Sequence, residues 1–280
     1  MKLKRETVIL GKKNFFYWQR NKTHKEVIVF LHGFPGNHMG LVELSRQFGE
    51  NYRVIIPDLP GCGESDILKG RNILKNYADW LNSFFETLGI EKAIVVGHSF
   101  GSRLALVFSA HYHNKIKNLI LITPVIKVDN FLDRLALIEY RISKILPKSF
   151  YHTLFSSRLY QYFLHRILCA HMNKRRKIQV AGWDFKEYNH LNPQIRMDLF
   201  DEFYKTNLAL IGKKIRSKTL VIAGDEDVVA NLNEVRELVG FLKNVELKVM
   251  KNTGHLAPVQ KPLVVSGLIG EWLKGIDNTM

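Results

Sequence analysis

Lys92-Ala93-Ile94-Val95-Val96-Gly97-His98-Ser99-Phe100-Gly101 is the stretch that decides how the rest of the chain reads. Lys92–Val96 is a short β-branched run with no polar residue after its first position, as a parallel strand buried on both faces requires. Residues 100–112 carry a helical pattern. Gly-x-Ser-x-Gly set between a strand and a helix lifts a serine hydroxyl clear of a sheet's edge. The serine then holds a strained backbone conformation, and side chains two positions to either side would strike neighbouring backbone. Gly97 and Gly101 remove them. A serine that only caps the following helix is the plainer alternative, but the strand, turn and helix around Ser99 favour a nucleophile.

Outward from this point the chain alternates. Val27–Leu31 (VIVFL), Arg53–Pro57 (RVIIP) and Asn118–Ile122 (NLILI) are further apolar strand runs. Residues 41–49 and 72–88 have helical spacing between them. In the second helix Ile73, Leu74, Tyr77, Trp80, Leu81, Phe84, Phe85 and Leu88 form one stripe, and Gly89 stops it. Upstream, Glu6–Leu10 and Asn14–Gln19 flank Gly11-Lys12-Lys13 as a hairpin at the sheet's edge. Strands alternating with helices predict a doubly wound, mostly parallel α/β sheet with right-handed crossovers.

The rhythm breaks after Pro124. From 126 to 216 there is little β signal, only helical patterns such as 134–146 and 158–172, and alternation resumes with strand 219–223, helix 232–243, strand 245–250 and helix 263–274. The expected organisation is a core of residues 1–125 and 217–280, with a helical cap of residues 126–216 inserted after the sixth strand.

A serine hydroxyl is a weak nucleophile at neutral pH and needs a base, which in turn needs an orienting carboxylate. On this fold they follow in the order serine, acid, histidine, each on a loop after a strand. Val245–Met250 leads into Asn252-Thr253-Gly254-His255, so His255 is the expected base. Leu220–Ala223 leads into Gly224-Asp225-Glu226-Asp227. Asp227 is preferred as the acid because it ends the turn and Val228-Val229 can pack it down; Asp225 and Glu226 remain open. His32 and His98 also stand at strand ends, and His98, inside the turn, reads as packed rather than catalytic. A tetrahedral intermediate needs two backbone N–H donors. Phe100, after the serine, supplies one, and the loop His32-Gly33-Phe34-Pro35-Gly36 supplies the other, from Phe34, with Gly33 allowing close approach.

These motifs, with Pro57-Asp58-Leu59-Pro60-Gly61-Cys62-Gly63-Glu64-Ser65, resemble the α/β-hydrolase superfamily, in its serine-nucleophile, esterase- and lipase-like subgroup with a helical cap. The resemblance runs from about residue 26 to the last helix and implies the fold and a Ser99–Asp227–His255 triad without naming a substrate. Three departures matter. Ser102 stands where a second glycine often follows the turn. Gln260 stands where relatives often carry a glutamate. Cap-bearing relatives with a His-Gly-Phe-Pro loop include enzymes with an aspartate nucleophile, and Ser99 argues for carbonyl attack instead.

Composition narrows the remaining classes. At 46% hydrophobic and 24% charged residues, the 280-residue chain has the balance of an ordinary folded domain. MKLKRETVIL lacks the apolar stretch of a signal peptide, no segment suits a membrane span, and Cys62 and Cys169 form no CxxC pair, so a cytoplasmic protein is expected. No metal spacing, Walker loop or dinucleotide fingerprint occurs, so no cofactor is expected. The net charge of +15 is concentrated: residues 126–216 hold 17 Lys/Arg against 8 Asp/Glu. No nucleic-acid motif accompanies it, so nucleic acid is not an expected partner. A solvated surface explains such a run most simply; contact of the basic cap with an anionic membrane is the sharper expectation. The predicted activity is hydrolysis of a small to medium hydrophobic carboxylic ester. Hydrolysis of a carbon–carbon bond beside a ketone, cofactor-free perhydrolysis, and a non-catalytic ligand-binding protein are the alternatives.

Overall fold

Every central strand of this chain is apolar at consecutive positions because both of its faces are covered. In Val27–Leu31 (β3), Val29 and Leu31 point to one side and Ile28 and Phe30 to the other, and all five residues are buried. The computed structural model describes residues 3–71, 73–126, 172–190, 193–205 and 208–277, with scattered positions between 138 and 168.

Lys4–Leu10 (β1) and Lys13–Arg20 (β2) form the expected antiparallel hairpin, turning at Gly11 with φ of 66°. β3, Arg53–Pro57 (β4), Ala93–His98 (β5), Ile116–Ile122 (β6), Thr219–Gly224 (β7) and Val245–Met250 (β8) follow. The sheet has eight strands in the order β1-β2-β4-β3-β5-β6-β7-β8, parallel from β4 to β8. The order reverses at β3, where β4 lies on one side and β5 on the other. Ligands bind beyond the carboxyl ends of strands at such a switch point.

Leu74–Thr87 (α2) and Phe100–His111 (α3) cover one face, where Val29, Ile55, Val95, Leu119 and Val221 meet Tyr77, Leu81, Phe84, Leu104 and Phe108. On the other face Ile28, Phe30, Val54, Ile94, Ile120 and Ile222 meet Leu41 and Leu44 of Met39–Ser45 (α1) and Val265, Ile269 and Leu273 of the last helix, Pro262–Asp277. Truncating any of these fully buried leucines or isoleucines to alanine costs about 2–5 kcal/mol. The α1 prediction ran to 49; the helix ends at Ser45 and Arg46–Phe48 continues as one tighter turn.

Between β6 and β7 lie the helices Lys174–His190 (α4) and Pro193–Lys205 (α5). The helical patterns at 134–146 and 158–172 fall almost entirely outside the described residues. Both stems of this segment close on the core: the Leu208 amide donates to the Ile126 carbonyl at 3.2 Å. The buried Arg103 guanidinium, on α3, donates to the carbonyls of Val125 and Ile126 at 3.1 Å each and lies 4.5 Å over the Phe203 ring. Burial lowers the Arg103 pKa to about 10, which leaves it charged at neutral pH. Among the described residues, no helix is long and apolar enough to cross a membrane.

Candidate active site

β5 ends at His98 and α3 begins at Phe100, so Ser99 alone makes the turn. Its φ of 53° and ψ of −115° place it outside the regions a non-glycine residue ordinarily adopts. The flanking glycines are sterically required. A Cβ on Gly97 would lie 2.4 Å from the Gly101 carbonyl oxygen, and one on Gly101 would lie 2.1 Å from that of Leu31. Ser102, at the position where a second glycine was anticipated, has a specific use. Its hydroxyl is buried and bonds the Gly97 carbonyl at 2.7 Å, with the Ile122 carbonyl at 3.2 Å, tying the turn to β6.

Ser99 Oγ lies 2.9 Å from His255 Nε2, and His255 Nδ1 lies 3.0 Å from Asp227 Oδ2. With Nδ1–H donating to the carboxylate, Nε2 is free to accept the serine proton. The other carboxylate oxygen, Oδ1, accepts from the amides of Val229 and Ala230 at 2.8 Å each, which fixes the carboxyl plane. Asp225 turns instead to the Thr253 amide, at 3.3 Å, and Glu226 is exposed. Of the three consecutive carboxylates, Asp227 is the one against His255.

The backbone of His255 is anchored on both sides. Its carbonyl accepts from His98 Nε2 at 3.0 Å and Thr123 Oγ1 at 2.9 Å, and its amide donates to the Leu168 carbonyl at 3.0 Å. Burial, reinforced by the nearby His255, pushes the pKa of His98 down to about 3, so at neutral pH it is an uncharged donor. The loop before His255 is closed by Gln260. Its Oε1 accepts from the Gly254 amide at 3.0 Å and its Nε2 donates to the Asn252 carbonyl at 3.2 Å. Only an amide can serve both partners; a glutamate would have no proton for Asn252.

His32 organises the loop after β3. Its Nδ1–H donates to the Gly33 carbonyl at 2.8 Å and its Nε2 accepts from the Leu59 amide at 2.9 Å, an arrangement that needs the neutral ring. Burial depresses its pKa in the matching direction. Gly33 brings this loop against the nucleophile, since a Cβ there would lie 3.2 Å from both Ser99 Cβ and His98 Nδ1. The Phe34 and Phe100 rings meet edge-on at 6.1 Å. Neither residue's amide donates to a protein acceptor among the described residues.

A cavity of about 110 Å³ opens over Ser99 and His255. Phe34, Leu168, Val180, Trp183, Leu256 and Val259 supply apolar wall, and Asn37 and Glu187 supply polar groups. Val180, Trp183 and Glu187 come from one face of α4 at helical spacing. The Glu187 carboxylate bonds the Asn37 side-chain amide through Oε1 and accepts from the Gly63 amide at 2.9 Å through Oε2. Asn37, Thr123 and Glu187 were not singled out from the sequence; the spacing of 180, 183 and 187 on an otherwise polar helix was the available signal. Among the described residues no group of histidines, cysteines and carboxylates could hold a metal ion.

The sequence profile described as the alpha/beta hydrolase fold matches residues 26–262. This chain belongs to the α/β hydrolase fold family. Mouse epoxide hydrolase 4 is 25% identical over 93% of the chain and 76% of its own length. The monoacylglycerol lipase abhd6-B of Xenopus laevis is 24% identical over 96% of the chain and 82% of its own. Among solved structures, a bacterial membrane phospholipase A superposes with a TM-score of 0.81 at 20% identity, covering 99% of this chain and 87% of that one. What is common to all three is the α/β hydrolase fold, and hydrolase is the activity class that membership carries. Relatives with different substrates share that fold, so chemistry has to be argued from this chain's own side chains.

Proposed function

We propose that this α/β hydrolase is a serine esterase that cleaves carboxylic esters through an acyl-enzyme on Ser99. The observation that carries the reading is the unbroken chain Ser99 Oγ–His255 Nε2 and His255 Nδ1–Asp227 Oδ2, at 2.9 and 3.0 Å. His255 takes the proton from Ser99 Oγ as the oxygen attacks the ester carbonyl carbon. Asp227 holds the ring in the required tautomer and stabilises the imidazolium. Charge develops on the carbonyl oxygen, and the amides of Phe34 and Phe100 receive it. The imidazolium then protonates the leaving alkoxide, and the alcohol departs. In the second half His255 deprotonates water, which attacks the acyl-enzyme, and the proton returns to Ser99 as the acid is released.

Serine rather than aspartate at position 99 separates this reading from epoxide opening, the activity named for the mouse relative. An aspartate attacks an alkyl carbon and forms an alkyl ester on the enzyme; a serine attacks a carbonyl and forms an acyl ester. The lipase activity named for the Xenopus relative agrees in reaction class. The cavity, at about 110 Å³, is smaller than the roughly 300–1,000 Å³ of sites for drug-sized ligands. With its apolar wall, that favours a small to medium hydrophobic acyl group. Residues 126–216 act in this reading as a cap over the site, supported by the pocket face of α4 and the bond from His255 to Leu168. Cys62, free and buried, fits a reducing, cytoplasmic setting.

Labelling with a fluorophosphonate probe, followed by turnover of an ester series of graded acyl length, tests the proposal. Wild type is expected to label and to prefer short acyl chains, while Ser99→Ala and His255→Ala lose labelling and turnover. Wild-type protein that fails to label where a control esterase does would replace this reading with ligand binding.

A further inference from the structure

The helix Lys174–His190 has two unlike faces. Val180, Trp183 and Glu187 look inward and line the cavity. The first turn carries Lys174, Arg175, Arg176 and Lys177 with no acidic residue among them. Cations at a helix N-terminus work against the macrodipole, which favours negative charge there. The backbone at that end is already served, since Asn173 Oδ1 accepts the Arg176 amide at 2.9 Å. Helix stability therefore does not account for these side chains.

Arg176 folds inward, 2.6 Å from Glu43 and over the Trp183 ring at 5.3 Å. Lys174 and Arg175 do not. They are exposed and have no acidic partner among the described residues, and Ile178, 53% exposed, stands one turn further along the same outward side. Gly182 continues that side into open space. The same segment also exposes Ile145 and Leu159 and holds 17 basic residues against 8 acidic. Basic groups around a protruding apolar side chain match a surface that is anionic outside and apolar beneath.

We propose that the outward face of this helix, centred on Lys174, Arg175 and Ile178, docks on an anionic lipid bilayer, which holds the enzyme at a surface where lipid-borne esters are concentrated. The docking deepens the esterase reading by naming lipid-borne esters as the substrate class, and its substrate part rests on that reading. Lys174 and Arg175 contribute Coulomb attraction screened by salt, and Ile178 a shallow apolar anchor.

The test is co-sedimentation of the full chain with vesicles of phosphatidylcholine alone and of phosphatidylcholine with phosphatidylglycerol. Wild type is expected to bind the anionic vesicles at low salt, at least about ten-fold more tightly than the neutral ones, and to release them at high salt. Each cation contributes roughly five-fold to affinity at such a surface, so Lys174→Glu with Arg175→Glu should lower binding by well over ten-fold. That double variant and Ile178→Ser should keep fluorophosphonate labelling and turnover of a short water-soluble ester, which shows they are folded. Ser99→Ala should sediment like wild type. Absent wild-type binding to the anionic vesicles would overturn the proposal, as would a double variant that binds undiminished. Tighter binding of a short DNA duplex than of vesicles would assign the face to nucleic acid instead. Loss of labelling with vesicle binding intact would strike the esterase reading and leave the docking standing.

Discussion

His98 donates from Nε2 to the carbonyl oxygen of His255 at 3.0 Å, so the residue before the nucleophile holds the backbone of the residue that would activate it. The two histidines are 157 positions apart in sequence. This bond needs His98 neutral, and the depressed pKa keeps it so over the range where most proteins are handled.

A pH-dependent stability follows from the same depression. The unfolded His98 takes a proton below its ordinary pKa near 6.5, while the folded one stays neutral to about pH 3. Between those values the unfolded state binds more protons, so stability is full above 6.5 and falls as pH falls. The slope from this one group reaches about 1.4 kcal/mol per pH unit, and His32, shifted the same way, adds to it. His98→Gln replaces Nε2–H with an amide donor that does not titrate. Urea unfolding between pH 7 and 5 should show a shallower decline for this variant than for wild type. Parallel curves would mean that His98 is not what titrates.

The three-carboxylate turn yields a sharper kinetic expectation. Asp227→Asn keeps shape but favours the wrong imidazole tautomer, and should lower kcat by about 10⁴-fold. Asp225→Asn, which keeps an oxygen to accept from the Thr253 amide, and Glu226→Gln, at an exposed position, should stay within about two-fold in kcat. Ester turnover by the three variants decides it, and a large loss in either of the latter two would reassign the acid.

How far these features could be read from sequence depends on the range of the physics behind them. The strands, the α2 stripe and the Gly97–Gly101 turn were legible because periodicity and steric exclusion act over a few residues. Even the need for two glycines could be argued before any distance was known. Asp227 against Asp225 was only a preference, since the choice rests on which carboxyl the amides of Val229 and Ala230 capture. Glu187 showed only its helical spacing from Val180 and Trp183, not its partners. Its partners, Asn37 and Gly63, lie 150 and 124 residues away, and only the packed fold brings them together. Gln260 was visible as a departure from the family pattern, but its use needed both of its bonds.

Gln260 therefore supports a test of positioning. Gln260→Ala frees the Gly254 amide and the Asn252 carbonyl, letting the His255 loop shift; a displacement of about 1 Å costs up to roughly 100-fold in rate. The expected loss is in kcat, with KM little changed. Gln260→Glu can still accept from Gly254 but has no proton for the Asn252 carbonyl, so it keeps one of the two bonds. Its kcat should fall between those of wild type and Gln260→Ala. Turnover per active site, counted by fluorophosphonate titration, separates positioning from simple loss of stability, which would lower the count of sites and leave the turnover of each unchanged.

Glu187 joins the helical segment to two core loops, and its removal should register in stability and selectivity together. Glu187→Ala leaves the Gly63 amide and the Asn37 side chain without their carboxylate partner; both donors are only part-buried, so each costs about 1 kcal/mol, the low end for an unsatisfied group. Thermal unfolding should shift down by several degrees. Because Val180 and Trp183 sit on the same helix face, loosening Glu187 also loosens the apolar wall of the cavity. The KM for a long-chain ester should then change more than that for an acetate ester, since a longer acyl group covers more of the apolar wall. Glu187→Gln, able to accept one of the two bonds, should fall between wild type and alanine on both measures. If stability drops while the ratio of the two KM values holds, Glu187 fastens the helix without shaping the acyl pocket.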